Sequence, residues 1–188
     1  MRSVAAIFTS SVKSLALSRS ATVTVGPNGI VEDRRFHLID PEGRMVTQRQ
    51  QGRLTLVQAG YSAESEVLTL QFPDGERVGG ATGLGDAVTT VMWGRQVPGR
   101  EVVGPWSEAL SEFCGSPVRL VKTDNPCESF DEYPVSMLSQ ASIDNLGGRV
   151  DGGPAFDGRR FRPNFLLDGC SPYEEDSWLG GVVRIGPD

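Results

Sequence analysis

Residues 66–75, Glu-Val-Leu-Thr-Leu-Gln-Phe-Pro-Asp-Gly, decide the fold class: apolar Leu68, Leu70 and Phe72 alternate with Thr69 and Gln71, and Pro73-Asp74-Gly75 closes the run. Period-two alternation ended by a φ-fixed Pro and a permissive Gly is the pattern of a half-buried strand entering a turn. The reading extends in both directions. VAAIF (4–8), ATVTV (21–25), RFHLID (35–40), MVTQ (45–48), LTLVQAG (54–60) and AVTTVMW (87–93) are apolar or alternating runs of ordinary strand length. Gly-Pro-Asn-Gly at 26–29 and Pro-Glu-Gly at 41–43 supply two further turns. A meander of this kind leaves open edges, which closure into a barrel or sandwich removes.

Composition agrees. With 23 Gly and 12 Pro in 188 residues, a helix bundle is disfavoured. Hydrophobic residues at 38% and charged residues at 22% exclude wholesale disorder. The net charge of −6 argues against a general polyanion surface, so nucleic acid is not an expected partner. No window approaches the roughly 20 apolar residues of a membrane span, so no membrane association is expected either. Three cysteines without CxxC spacing, and an N-terminus lacking a secretory apolar run, fit a reducing cytoplasm. The single histidine, His37, excludes a multi-His metal centre.

Beyond Pro98 the pattern changes. Residues 105–114 place Trp106, Leu110, Phe113 and Cys114 at helical spacing before Gly115, which predicts a short helix. VRLVK (118–122) reads as a strand and 123–133 as loop, and a second helix is predicted from Ser139, its N-cap, to Leu146, with Gly147 as stop. NFLLD (164–168) and VVRIG (182–186) return to strand. The expected class is α+β, mainly β with a few short helices, with candidate domain boundaries at the composition shift near 97–105 and at the loop 123–133.

Three segments carry chemistry. Lys13-Ser14, after an apolar strand, offers an ammonium, a hydroxyl and a backbone N–H to one anionic group, or else a solvated strand end. Lys occurs only at Lys13 and Lys122, the other sixteen basic residues being Arg. Genome composition accounts for that bias, as does a need for planar forks on oxyanions. In Glu32-Asp33-Arg34-Arg35-Phe36-His37, alternation puts Arg34 beside Phe36 and Leu38, where a buried guanidinium requires an anion: a ligand, or Asp33. His37 alternates with Ile39 and reads as a structural histidine. In 157–164, Arg159, Arg160 and Arg162 form either an anion site or a loop salt-bridged to Glu174-Glu175-Asp176. There Pro163 is expected to hold Arg162 extended, projecting it with Asn164 to one side. Cys114 reads as packing. Cys127 and Cys170 lie in loops with no ligand spacing.

Taken in order, Ser11-Val12-Lys13-Ser14, Gly29-x-x-x-Asp33-Arg34, Asp40-x-x-Gly43-x-x-Val46-Thr47-x-Arg49, Pro134-Val135-Ser136-x-Leu138-Ser139-x-Ala141-Ser142, Arg160-Phe161-Arg162-Pro163-Asn164 and Glu175-Asp176-x-Trp178 resemble the MOSC superfamily. More narrowly, they are similar to proteins with an N-terminal MOSC β-barrel domain before the MOSC domain, such as the amidoxime-reducing components. The resemblance implies a β-barrel domain over 1–122 and a partial MOSC domain over 123–188, cradling the molybdenum cofactor, a molybdopterin. It assigns Lys13, Ser14 and Arg34 to the cofactor from the first domain, and Arg162 and Asn164 from the second. Asp131 matches a contributing loop position, although its neighbours Phe130 and Glu132 depart from the polar residues of the family.

The activity implied is that of an oxidoreductase reducing small N-hydroxylated substrates with electrons from a separate reductase or an iron–sulfur or haem protein. The family's molybdenum-ligating Cys falls after the strand matching 182–186, and no cysteine here stands in that context. The expectation is therefore a C-terminally truncated copy, with no catalytic residue and no metal ligand assigned. Two alternatives remain: a non-catalytic cofactor-binding or sulfur-carrier module, and a pyridoxal phosphate protein with a Schiff base at Lys13 or Lys122.

Overall fold

The computed structural model describes residues 1–149 and 156–186. Its strands are β1 (Ser3–Thr9), β2 (Ser18–Ser20), β3 (Val25–Gly26), β4 (Gly29–Ile30), β5 (Phe36–Ile39), β6 (Met45–Val46), β7 (Gln58–Ser62), β8 (Val67–Gln71), β9 (Arg77–Ala81), β10 (Gly83–Met92), β11 (Arg95–Val103), β12 (Arg119–Thr123), β13 (Met137–Ser139) and β14 (Phe165–Asp168). Two α-helices, α1 (Trp106–Cys114) and α2 (Gln140–Gly147), complete a mainly β, α+β fold among the described residues. The chain forms two compact units that interleave in sequence: Met1–Phe8, Arg19–Thr22 and Val135–Asp188 in one, Thr9–Ser18 and Val23–Pro134 in the other. Pro187 and Asp188, on which the expectation of an early end rests, lie outside the described residues.

The larger unit holds a five-stranded sheet in the order β10-β11-β12-β5-β6, a three-stranded sheet β7-β8-β9 and the small ladder β3-β4. Among the described residues, no sheet closes on itself by hydrogen bonds. Phe36, Leu38, Leu68, Leu70, Trp106 and Leu110 belong to one buried cluster. Each such side chain contributes about 1.5–3 kcal/mol relative to exposure. The indole of Trp106 donates to Leu68 O at 3.2 Å, which satisfies its only polar group inside the core. Gly115 ends α1 in the left-handed conformation, φ 69°, as its position predicts.

All three predicted turns occur where Pro and Gly place them: between β3 and β4, β5 and β6, and β8 and β9. Three strand expectations change. ATVTV gives only its last residue to a strand, because residues 21–25 are largely exposed and have no apolar face to bury. LTLVQAG begins as a 3-10 turn, Gly52–Leu56, before entering β7. VVRIG is no strand: Val182, Val183 and Ile185 are exposed and form no ladder. Conversely, Pro98 does not interrupt β11. It pairs with Thr89 of β10, while the ladder to β12 begins only at Gly99, so its missing N–H breaks no ladder bond on that side.

The smaller unit carries the sheet β13-β14-β1-β2. β1 runs antiparallel to β14, with Ser3 opposite Asp168 and Ile7 opposite Phe165. β13 runs parallel to β14, a pairing that requires the crossover α2 provides. Ser139 caps α2 as expected, its Oγ accepting from Ser142 N at 3.1 Å.

Candidate functional site

In the larger unit the segment after β1 lies along the entry to β5. Arg34 N donates to Ser10 O at 2.7 Å, Phe36 N to Ser11 O at 3.0 Å, and Lys13 N to Phe36 O at 2.7 Å. These bonds set Lys13-Ser14 beside Arg34, twenty residues away in sequence. Lys13 is buried, and a buried ammonium must be paired. Its Nζ donates to Ser129 O at 2.7 Å and to Asp131 Oδ1 at 2.5 Å. Both acceptors sit in a stretch, 124–134, that has neither strand nor helix.

Ser14 and Arg34 both have left-handed backbones, with φ 74° and 52°. A non-glycine residue there costs roughly 1–2 kcal/mol, and such strain concentrates at ligand sites. Ser14 Oγ is buried and has no hydrogen-bond partner. An unmet hydroxyl of this kind costs about 1–3 kcal/mol. Strained backbone, an orphan hydroxyl and an adjacent ammonium form a donor set suited to an oxyanion.

The carboxylates around this set are structural partners. Asp33 pairs with the Arg34 guanidinium, as one of the two sequence readings had it, and accepts Ser10 N at 2.7 Å. Burial alone raises the Asp131 carboxyl. The Lys13 ammonium, the Trp93 indole and the charge of Arg34 outweigh it and hold Asp131 below the ordinary carboxylate range. Trp93 and Arg95, which sequence reasoning passed over, bound this loop: Trp93 Nε1 donates to Asp131 Oδ1 at 3.1 Å, and Arg95 donates to three loop carbonyls. The available signal was Trp93-Gly94-Arg95, a hairpin tip at the end of a strand run.

His37 is fully buried, with Nε2 2.9 Å from Thr90 Oγ1 and Nδ1 3.4 Å from Ser129 Oγ. Burial, and then the Lys13 charge, lower its pKa from 6.5 to about 3, so it is a neutral structural imidazole. Lys122 is buried against Glu66 Oε1 at 2.7 Å. Although burial opposes its charge, the bonds to Glu66 and Tyr61 raise its pKa overall and hold the ammonium form, which is no nucleophile. The thiols of Cys114, Cys127 and Cys170 are each raised, first by burial, and they remain thiols at neutral pH. Among the described residues, no group of His, Cys, Asp and Glu could hold a metal ion.

The smaller unit holds Arg162 and Asn164. Arg162 is not extended: its φ of 53° and ψ of 44° make it the left-handed cap of the 3-10 turn Gly158–Phe161. The following Pro163 disfavours a right-handed helical Arg162, and the turn's closing bond, Arg162 N to Arg159 O at 3.0 Å, selects the left-handed region instead. Asn164 is buried, accepts from Ser136 N at 3.1 Å and Ser136 Oγ at 3.2 Å, and donates to Phe8 O at 3.2 Å. Its amide therefore ties β1 to the segment entering β13. The acidic run does not face the arginines expected for it: Arg159 pairs with Asp157, while Glu174 pairs with Arg2 and Glu175 accepts Ser139 N at 3.0 Å.

The arrangement is a buried ammonium at Lys13 with the left-handed residues Ser14 and Arg34 near it, in a mainly β fold. The MOSC N-terminal beta barrel domain matches residues 1–117, and the MOSC domain matches residues 106–187. The chain belongs to the MOSC family. It is 27% identical over 189 aligned positions to mitochondrial amidoxime-reducing component 1 of Homo sapiens, covering 89% of this chain and 56% of that protein. The Danio rerio protein of the same name is 30% identical, covering 84% of this chain and 54% of its own length. Molybdenum cofactor sulfurase of Oryza sativa subsp. japonica is 26% identical, covering 89% of this chain and 24% of that protein. The chain thus spans about half the length of the curated amidoxime-reducing relatives it matches. Among the described residues, no helix is long and apolar enough to cross a membrane.

Proposed function

We propose that this chain binds the molybdenum cofactor through its pterin phosphate, as the holding part of an oxidoreductase that reduces N-hydroxylated compounds with electrons from a separate reductase chain. The observation that carries the reading is Ser14 Oγ, buried without a partner in the residue that follows the buried Lys13. The residues fit the group. Lys13 supplies a point charge, Arg34 a planar fork and Ser14 a hydroxyl free to turn towards a phosphate oxygen.

When bound, the cofactor supplies the redox chemistry at molybdenum. The chain's own residues bind and orient it. Asp33 fixes the Arg34 fork, and Asp131 and Ser129 O fix the Lys13 ammonium, so neither cation has to be ordered at the moment of binding. Amidoxime reduction and the cofactor itself are drawn from the names of the relatives at 26–30% identity. The pyridoxal phosphate alternative has no comparable support, since both lysines are engaged by carboxylates.

The test is pterin and molybdenum content after purification from a host that makes the cofactor, for the chain and for Lys13→Met/Ser14→Ala. Loading of the first and loss in the second is the expected result. Equal, negligible content in both overturns the cofactor reading.

A further inference from the structure

The segment that supplies both acceptors to Lys13 has no secondary structure of its own, so something else must hold it. Arg95, the first residue of β11, does so. Its Nη1 donates to Glu128 O at 3.2 Å, and its Nη2 donates to Phe130 O at 2.6 Å and Asp131 O at 3.2 Å. Its guanidinium carbon lies 3.9 Å from the centroid of the Phe130 ring. Phe130, which departs from the polar residue of the family pattern, is thus the surface on which Arg95 stacks. Two residues back, at the tip of the same hairpin, Trp93 Nε1 holds the Asp131 carboxylate oxygen that also receives Lys13 Nζ. Ser129, between the clamped carbonyls, is buried and gives its own carbonyl to Lys13.

We propose that Arg95 is a positioning residue: from the β10–β11 hairpin it fixes residues 128–131 so that Ser129 O and Asp131 Oδ1 aim the Lys13 ammonium for anion binding. The geometry supports this in three ways. A planar fork spans several carbonyls at once, which a lysine in its place does not. Stacking on Phe130 fixes the plane of that fork. The clamp touches backbone carbonyls, so it sets the loop's path rather than adding a charge to the site. The ligand half of this inference rests on the oxyanion reading; the positioning half does not.

The chain is unusually suited to a direct test, because Lys13 and Lys122 are its only lysines. With 13C-labelled lysine, NMR gives two side-chain signals, and an immobilised ammonium stem shows two distinct Hε shifts. In Arg95→Ala the Lys13 pair is expected to collapse to one shift while the Lys122 pair, held by Glu66, stays split and reports an intact fold. Affinity for pyrophosphate, the probe anion, is expected to fall about tenfold, the size of one lost charge-assisted hydrogen bond.

Arg95→Lys keeps the charge, adds a third lysine signal that is identified by its absence from the wild type, and is expected to fail like Arg95→Ala. If Arg95→Ala unfolds, shown by collapse of both lysine pairs, Arg95→Lys decides. A split Lys13 pair with unchanged probe affinity in Arg95→Lys overturns the proposal. Wild-type protein that takes up no pyrophosphate removes the oxyanion reading, and the Lys13 shifts then judge the positioning role by themselves.

Discussion

His37 Nε2 lies 2.9 Å from Thr90 Oγ1, both residues fully buried, and that burial, with the Lys13 charge, keeps the chain's one imidazole neutral inside the larger unit. The ring's pKa is lowered from 6.5 to about 3, so below about pH 6.5 the unfolded chain takes up a proton that the folded chain refuses. Stability from this source is complete above that pH and declines as pH falls towards 3, at about 1.4 kcal/mol per pH unit. Urea unfolding at pH 7.5 and pH 5 is expected to show a drop of roughly 2 kcal/mol by this linkage. In His37→Asn the drop should be absent; a wild-type midpoint equal at the two pH values would contradict it.

Ser14 combines a left-handed backbone with an unmet hydroxyl, two costs the fold bears without a stabilising return of its own. Ser14→Gly relieves both and is expected to raise unfolding free energy by about 1 kcal/mol. The same variant should bind pyrophosphate about tenfold more weakly, having lost the hydroxyl donor. Thermal melts with and without the probe measure both. A destabilised Ser14→Gly would show that the strain is only apparent.

Asn164 meets Ser136 and Phe8 through three hydrogen bonds while buried. Asn164→Ala leaves those groups without their partner and is expected to cost about 2–4 kcal/mol. Loss of cofactor in that variant therefore reports unfolding of the smaller unit unless circular dichroism and melting are unchanged. Arg162→Ala is the cleaner probe there, because the turn is closed by its backbone, Arg162 N to Arg159 O, which the substitution keeps.

Gly29 sits at φ +129°, and a Cβ at this position would meet Pro134 Cβ at 2.8 Å. The loop that ends in Pro134 is the one that carries Ser129 and Asp131. Gly29→Ala is expected to destabilise by about 1–3 kcal/mol through strain and overpacking. It should also move the Lys13 NMR signals, as is expected of Arg95→Ala. An unchanged Lys13 environment would separate this contact from the site.

Much of the fold was legible because its signals are local. The alternation of Leu68, Leu70 and Phe72, the Pro and Gly of three turns, Gly115 behind α1 and Ser139 before α2 each depend on a few neighbouring residues. β9 and β11 were not legible: Arg77–Ala81 is short of apolar residues, and Pro98 masks a strand whose missing N–H falls just beyond the end of the β12 ladder. VVRIG shows the converse. Its composition favours a strand, but an extended run becomes one only with a partner.

The site divides in the same way. From the sequence alone came the mainly β class, the family, and the chemical types at Lys13, Ser14 and Arg34, since charge, hydroxyl and motif order are properties of the chain. Tertiary structure alone decided that Lys13 is held by Ser129 and Asp131, residues more than a hundred positions away. It alone showed that Ser14 Oγ is left unmet, that Arg162 is left-handed and that Asn164 is tied into the fold. The physical reason is that burial and hydrogen-bond satisfaction are settled by which distant segments pack together, and no local pattern records that pairing.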